Sequence, residues 1–333
     1  MKKLSNESLK LFFSHITTQR TSLMGLAMLA VFLTHAPSES LGFLPTGFIG
    51  TIADYGFWGV DVFLFLSAFG LSHSLGKNDL KTYFRNRFVR ILPLWLLVLV
   101  IIHIAGVLVA ARMPELDFVY PKTFLDCIYW YTGLGFFLNT CCYEWYIPSL
   151  LLLYLISPYI YRCSRYTLYV LIPMCAIIYV LNHFFGFQHL DILLERLSVF
   201  CLGFLYYKEN KAGKLIRFLY AEFIIILMIF PLVYYRFCSS TILFGMLLPV
   251  ILMLVANILS LKYIKIITFG LAFVGGVSLE LYLIHLYRRP QYLLSLFIDN
   301  SNLQVILAFI LCLVLSYILH VLIDKILAKL NVR

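Results

Sequence analysis

Apolar runs long enough to cross a bilayer recur from Leu23 to the C-terminus, with no polar interval the size of a soluble domain between them. Crossing a hydrocarbon core of roughly 30 Å takes about 20 residues of helix, so the chain is expected to be an all-α polytopic transmembrane bundle. Apolar residues make up 62% of the 333 and charged residues only 13%, outside the usual balance of soluble globular proteins. About ten spans are predicted, at 22–37, 55–75, 91–111, 143–161, 166–184, 192–207, 218–235, 241–260, 266–286 and 303–324. Several are short, as tilted or partly immersed helices are. Together they form one membrane-embedded domain over 1–333, with 1–21 as a cytoplasmic segment.

Charge sets the orientation. The segment 124–140 is aromatic enough to enter the membrane but carries Gly133 and Gly135. If it does not cross and the N-terminus is cytoplasmic, 20 of the 26 Lys and Arg residues fall on the inner side, the bias that positive-inside topology requires. Counting it as a span would move Arg162 and Arg165 outside. Both termini are therefore expected to be cytoplasmic. The net charge of +10 reads as topology and contact with the lipid bilayer, with no need for a nucleic-acid partner. No cleavable signal peptide is expected, since the first apolar run follows a polar and amphipathic stretch and leads into a multispanning pattern. The eight cysteines show no CxxC pair or His/Cys ligand spacing, so no metal is expected. Cys127, Cys141 and Cys142 share the outer face, where two of them could form a disulfide or all could stay free.

Two ionisable side chains lie within apolar runs: His35 closes Leu23 to His35, and Asp61 opens Val60 to Leu71. Placing such groups in hydrocarbon costs roughly 2.5–3.5 kcal/mol each on insertion scales, which marks them as functional candidates. By the helical rise His35 lies roughly 22 Å above Arg20, in the outer half of the bilayer, and Asp61 enters the second span at a similar depth. Consecutive antiparallel helices are usually neighbours, so a His35–Asp61 contact is expected. An Asp bound to one imidazole nitrogen would fix the tautomer and leave the other as general base; the alternative is a polar pair that only locks two helices together.

Further along, Ser278, Tyr282 and His285 recur on one helical face while Glu280 points elsewhere. His285 also reads as a plain interfacial residue. The inner loop 76–90 carries Lys77, Lys81, Arg85, Arg87 and Arg90, a patch suited to phosphate or, equally, to ordinary positive-inside topology.

In order, SLMGLAMLAVFLTH (22–35), GFWGVDVFLFLSAFGLSHS (56–74), YFRNRFVRILPLW (83–95), EWYIPSLLLLYLISP (144–158), ERLSVFCLGFLYY (195–207) and VSLELYLIHL (277–286) resemble the acyltransferase type 3 family of bacterial membrane O-acyltransferases. The resemblance implies about ten helices in the bacterial cytoplasmic membrane and transfer of an acyl group, usually acetyl, from cytoplasmic acyl-coenzyme A to a carbohydrate hydroxyl of a cell-envelope or exported glycan. It implies His35, Asp61 and Ser67 as catalytic positions and Arg85, Arg87 and Arg90 in the basic motif. With Arg20 added, that basic inner mouth would hold the coenzyme's phosphates, while Glu144, Trp145, Glu280, Tyr282 and His285 are candidates for the acceptor side. Two positions depart from the pattern. Met24 stands where the family commonly has an arginine eleven residues before the histidine, with Arg20 one turn lower, and Ser149 stands where many members have a glutamate. A proton-coupled transporter using the intramembrane His, Asp and Glu residues, or a silent glycan-binding relative, are the alternatives.

Overall fold

The computed structural model describes residues 14–35, 54–112, 120–138, 145–185, 188–236, 239–286, 298 and 301–329. Among them there are helices and no strand: α1 (Arg20–Thr34), α2 (Gly59–Leu75, preceded by a 3-10 turn at Gly56–Trp58), α3 (Leu80–Arg112), α4 (Phe124–Thr132), α5 (Leu134–Phe137) and α6 (Tyr146–Arg162). Then come α7 (Arg165–Phe185), α8 (Gln188–Ala212), α9 (Leu215–Tyr234), α10 (Ser240–Leu259), α11 (Lys265–Gly276), α12 (Ser278–His285) and α13 (Ser301–Lys329).

Each of the ten predicted spans falls on helix, but length and hydropathy sort them into two groups. Among the described residues six stretches are long and apolar enough to cross a membrane: Gly56–Leu75, Leu80–Arg112, Arg165–Phe184, Leu215–Tyr234, Ser240–Leu259 and Leu303–Lys329. A seventh results if Lys262–Gly276 and Ser278–His285, bent by 66° at their junction, count as one span. The chain is thus an all-α, multi-pass membrane protein. Of the helices at predicted spans, those outside that set are α1 and α6, with 15 and 17 residues, and α8, which carries Asp191, Glu195, Arg196, Lys208 and Glu209. These three also carry much of the bundle's buried surface, including Leu23, Ile147 and Phe200. A helix wrapped by other helices need not be apolar all round, because its polar groups face protein instead of lipid.

The described part of 124–140, which ends at Leu138, forms two short helices that meet at Gly133, whose φ of 73° is left-handed. Nine and four residues rise only ~14 and ~6 Å, so neither is long enough to cross by itself. A capping box starts α4, with Thr123 and Asp126 each accepting the other's backbone N–H. Its exposed Phe124, Leu125 and Ile128 suit a helix that dips into the interface. Cys127 carries no disulfide, and Cys141 and Cys142 lie outside the described residues.

Helix α1 lies at the centre, held on two sides by backbone contacts that only glycine permits. A Cβ on Gly275 of α11 would sit 1.9 Å from the Thr21 carbonyl oxygen, and one on Gly25 would sit 1.8 Å from that of Leu271. On the other side Gly56 and Gly59 press against the carbonyls of Ala30 and Ala27, where a Cβ would come within 2.2 and 2.4 Å. Such crossings maximise dispersion contact between helices that gain nothing from hydrophobic burial in lipid. Gly275→Ala should therefore push α1 and α11 apart at an overpacking cost of ~1–3 kcal/mol. Thermal unfolding in detergent should show a clear drop in apparent Tm, and an unchanged midpoint would mean that the crossing is loose.

Candidate active site

Helices α1, α2, α3, α6 and α12 enclose a cavity of about 690 Å³ including its opening. Along α1 it extends from Arg20 past Met24 to Val31, about 16 Å at the helical rise. Arg20, Arg87 and Arg90 line one end. The Arg20 guanidinium lies over Gly70, where a Cβ would be only 3.2 Å from Nη2, so the glycine makes its seat. Among the described residues none of these three arginines pairs with a carboxylate, and the Nε atoms of Arg20 and Arg87 are buried without a hydrogen bond. Three guanidinium groups with no carboxylate partner among the described residues thus share the end of one cavity, and their planar donor forks have the geometry that phosphate matches. Arg85, one helical face away, is exposed and outside the lining.

Ser67 lines the middle of the cavity together with Met24. Arg20, one turn below Met24, lines the same cavity. Ser149, at the other departure, is buried, and its hydroxyl has no partner among the described residues.

The far end is walled by Val31, Val60, Tyr146 and Tyr282. The Tyr282 ring stands 5.1 Å from that of Tyr146 and 5.7 Å from that of His285. Here, one turn past Val31, sits His35. Its Nδ1 is 2.8 Å from the Val31 carbonyl oxygen and 3.3 Å from Nε2 of buried His285, with the rings edge to face at 5.0 Å. A carbonyl oxygen only accepts, so His35 Nδ1 carries a proton and Nε2 of the neutral ring carries the lone pair. The expected imidazole–carboxylate contact is not formed: His35 meets a backbone carbonyl and a second histidine, and Asp61 lies against Arg196.

Asp61 is fully buried and faces the other way, toward α8, where Arg196 Nε lies 3.5 Å from Oδ1. The Arg196 guanidinium also meets the Glu195 carboxylate at 3.2 Å, the Ile192 carbonyl at 3.0 Å, and the face of Trp145 at 5.0 Å. One buried cation therefore joins α2, α8 and the start of α6, next to Val60 and Tyr146 of the cavity wall. The signal for it was present in the sequence as a Glu-Arg pair inside the predicted span 192–207.

Ser278 and Tyr282 line the cavity and His285 meets His35, whereas Glu280 turns to α13, as the 3.6-residue period predicts. Its Oε1 lies 2.7 Å from His320 Nδ1, and His320 Nε2 is 3.6 Å from Asp324. His320, inside the apolar run 303–324, met the same criterion that singled out His35. Trp145 belongs to the Arg196 cluster, and Glu144 lies outside the described residues.

A family model described as an acyltransferase domain matches residues 23–323, nearly the whole chain. No curated protein and no solved structure matches it significantly.

Proposed function

The chain belongs to the acyltransferase type 3 family, and from that premise we propose that it moves an acyl group, acetyl in the simplest case, from cytoplasmic acyl-CoA to a carbohydrate hydroxyl of a cell-envelope or exported glycan. The observation that carries this reading is one cavity with Arg20, Arg87 and Arg90, which meet no carboxylate among the described residues, at one end and a histidine whose Nδ1–H is held by a carbonyl just beyond the other. Arg20, Arg87 and Arg90 would take the coenzyme's phosphates, and the pantetheine arm would run past Met24 and Ser67.

At the far end His35 Nε2 accepts the hydroxyl proton as the oxygen attacks the thioester carbonyl carbon. The Ser67 hydroxyl donates to the oxyanion that forms. The C–S bond then breaks, the thiolate of coenzyme A takes the proton back from His35, and the ester leaves toward the acceptor side.

The sidedness follows the charge bias, which puts the arginine end inside the cell. In this reading α1, α6 and α8 join the six long helices and the broken α11–α12 pair as ten crossings, with both termini in the cytoplasm of a bacterial cell.

Purified protein should release thiol from acetyl-CoA. Singly changing Arg20, Arg87 or Arg90 to Gln should raise KM for the donor, each lost charge-assisted contact being worth about 1.5–3 kcal/mol. Arg85→Gln should leave KM near the wild-type value. A KM unmoved by all three substitutions would return these residues to the role of topology signals.

A proton-coupled exporter is the second reading. The break between α11 and α12, together with the Glu280–His320–Asp324 chain, favours it, since discontinuous helices carry the sites of many transporters. Thiol release that requires His35 separates the two.

A further inference from the structure

The contacts of His35 and His285 set the roles of three of their four ring nitrogens. His285 Nδ1 lies 2.9 Å from the Leu281 carbonyl oxygen and must carry hydrogen, so Nε2 of the neutral ring is an acceptor. That acceptor is aimed at His35 Nδ1 at 3.3 Å, which itself carries a hydrogen because Val31 O is 2.8 Å away. The His35 N–H is thus shared between a carbonyl and an imidazole lone pair. Were His285 to become the imidazolium, two N–H groups would point at each other across that gap. If His35 takes the extra proton instead, on Nε2, its Nδ1–H becomes a stronger donor to the same two acceptors. The arrangement sends the proton to one atom of the four.

We infer that His285 is the positioning residue of the acyl-transfer base: as a neutral acceptor it holds the His35 ring by its Nδ1–H, keeps the lone pair on Nε2, and supports the positive charge that His35 gains when it deprotonates the acceptor hydroxyl. This role, which a carboxylate fills in many imidazole bases, falls here to a second imidazole. Asp61 is engaged with Arg196. Burial of His285 at 3% exposure, with Phe32 and Tyr282 rings 5.9 and 5.7 Å away, restricts the imidazole to this orientation. The proton balance of the reaction is unchanged, since His285 neither gains nor loses a proton in any step.

The inference rests on the proposed transfer reaction, and the test has one arm that does not. Thiol release from acetyl-CoA is followed for wild type, His285→Gln and His285→Leu. Leu removes the acceptor, whereas the Gln carbonyl oxygen can replace Nε2. His285→Leu should lower kcat on the order of 10²-fold, in the range of general-base effects, with KM for acetyl-CoA unchanged, and His285→Gln should recover most of the loss. Equal inactivity of Gln and Leu in folded protein, a loss confined to KM, or near-wild-type kcat in the Leu variant would each overturn the assignment. In the second arm, ¹⁵N NMR of histidine-labelled protein reads the tautomers directly. Both rings should be protonated on Nδ1 at neutral pH, and His285→Leu should alter the His35 signals. His35 protonated on Nε2 instead would overturn the inference whether or not wild type releases thiol, and a protein that shows the expected tautomers but releases none would fail as a transferase while keeping its histidine pair.

Discussion

Replacing His35 with Ala should reduce acyl transfer by a factor of about 10² to 10⁴, the usual contribution of a positioned general base, with the protein still inserted and monodisperse. The ring sits at the C-terminal end of α1, half-buried, where it touches α12 through His285. The crossings that hold α1 are the glycine contacts of Gly25, Gly56, Gly59 and Gly275. Donor binding should also survive, because the arginines lie at the opposite end of the cavity. Near-normal glycan acylation, measured by mass spectrometry in cells producing the variant, would remove His35 from the mechanism.

Asp61→Asn and Arg196→Gln should each fail by a different route, through loss of the folded protein. Both side chains are buried, at 0% and 5% exposure, and breaking a buried pair by removing one partner costs roughly 3–5 kcal/mol, less for Asp61→Asn to the extent that Glu195 still faces Arg196. Substituting both with apolar residues, as in Asp61→Leu with Arg196→Met, removes both desolvation penalties and is often close to neutral. Accumulation and thermal midpoint in detergent should therefore be poor in the single variants and restored in the double one. If Asp61→Asn instead accumulates normally and is as inactive as His35→Ala, Asp61 takes part in the chemistry and is more than a clamp.

Helix was legible in the sequence and lateral neighbours were not. Hydropathy matched the described part of every predicted span to helix. Rotation about α2 turns Asp61 toward α8, a helix more than a hundred residues later, and no local pattern encodes that choice: α2 is buried on nearly every face, so it has no apolar stripe to orient it. Where one helix carries its own contrast the sequence was enough. The period along α12 separated Ser278, Tyr282 and His285 from Glu280, and the structure sends the first set to the cavity and His35 and the last to His320. Arg20 illustrates a third case, since its place in the cavity depends on Gly70 of a neighbouring helix, a close approach visible only in three dimensions.

The central claim is that the acyl donor occupies the cavity between Arg20 and His35. Met24 lines that cavity, whereas Leu26 on the same helix is 41% exposed and lies outside it. In a protein freed of its eight native cysteines, Met24→Cys and Leu26→Cys can be alkylated with a small thiol reagent with and without coenzyme A. Saturating coenzyme A should protect Met24→Cys and leave Leu26→Cys unaffected, and adding Arg87→Gln should weaken the protection. Alkylation of Met24→Cys at the same rate with and without the coenzyme would contradict the account.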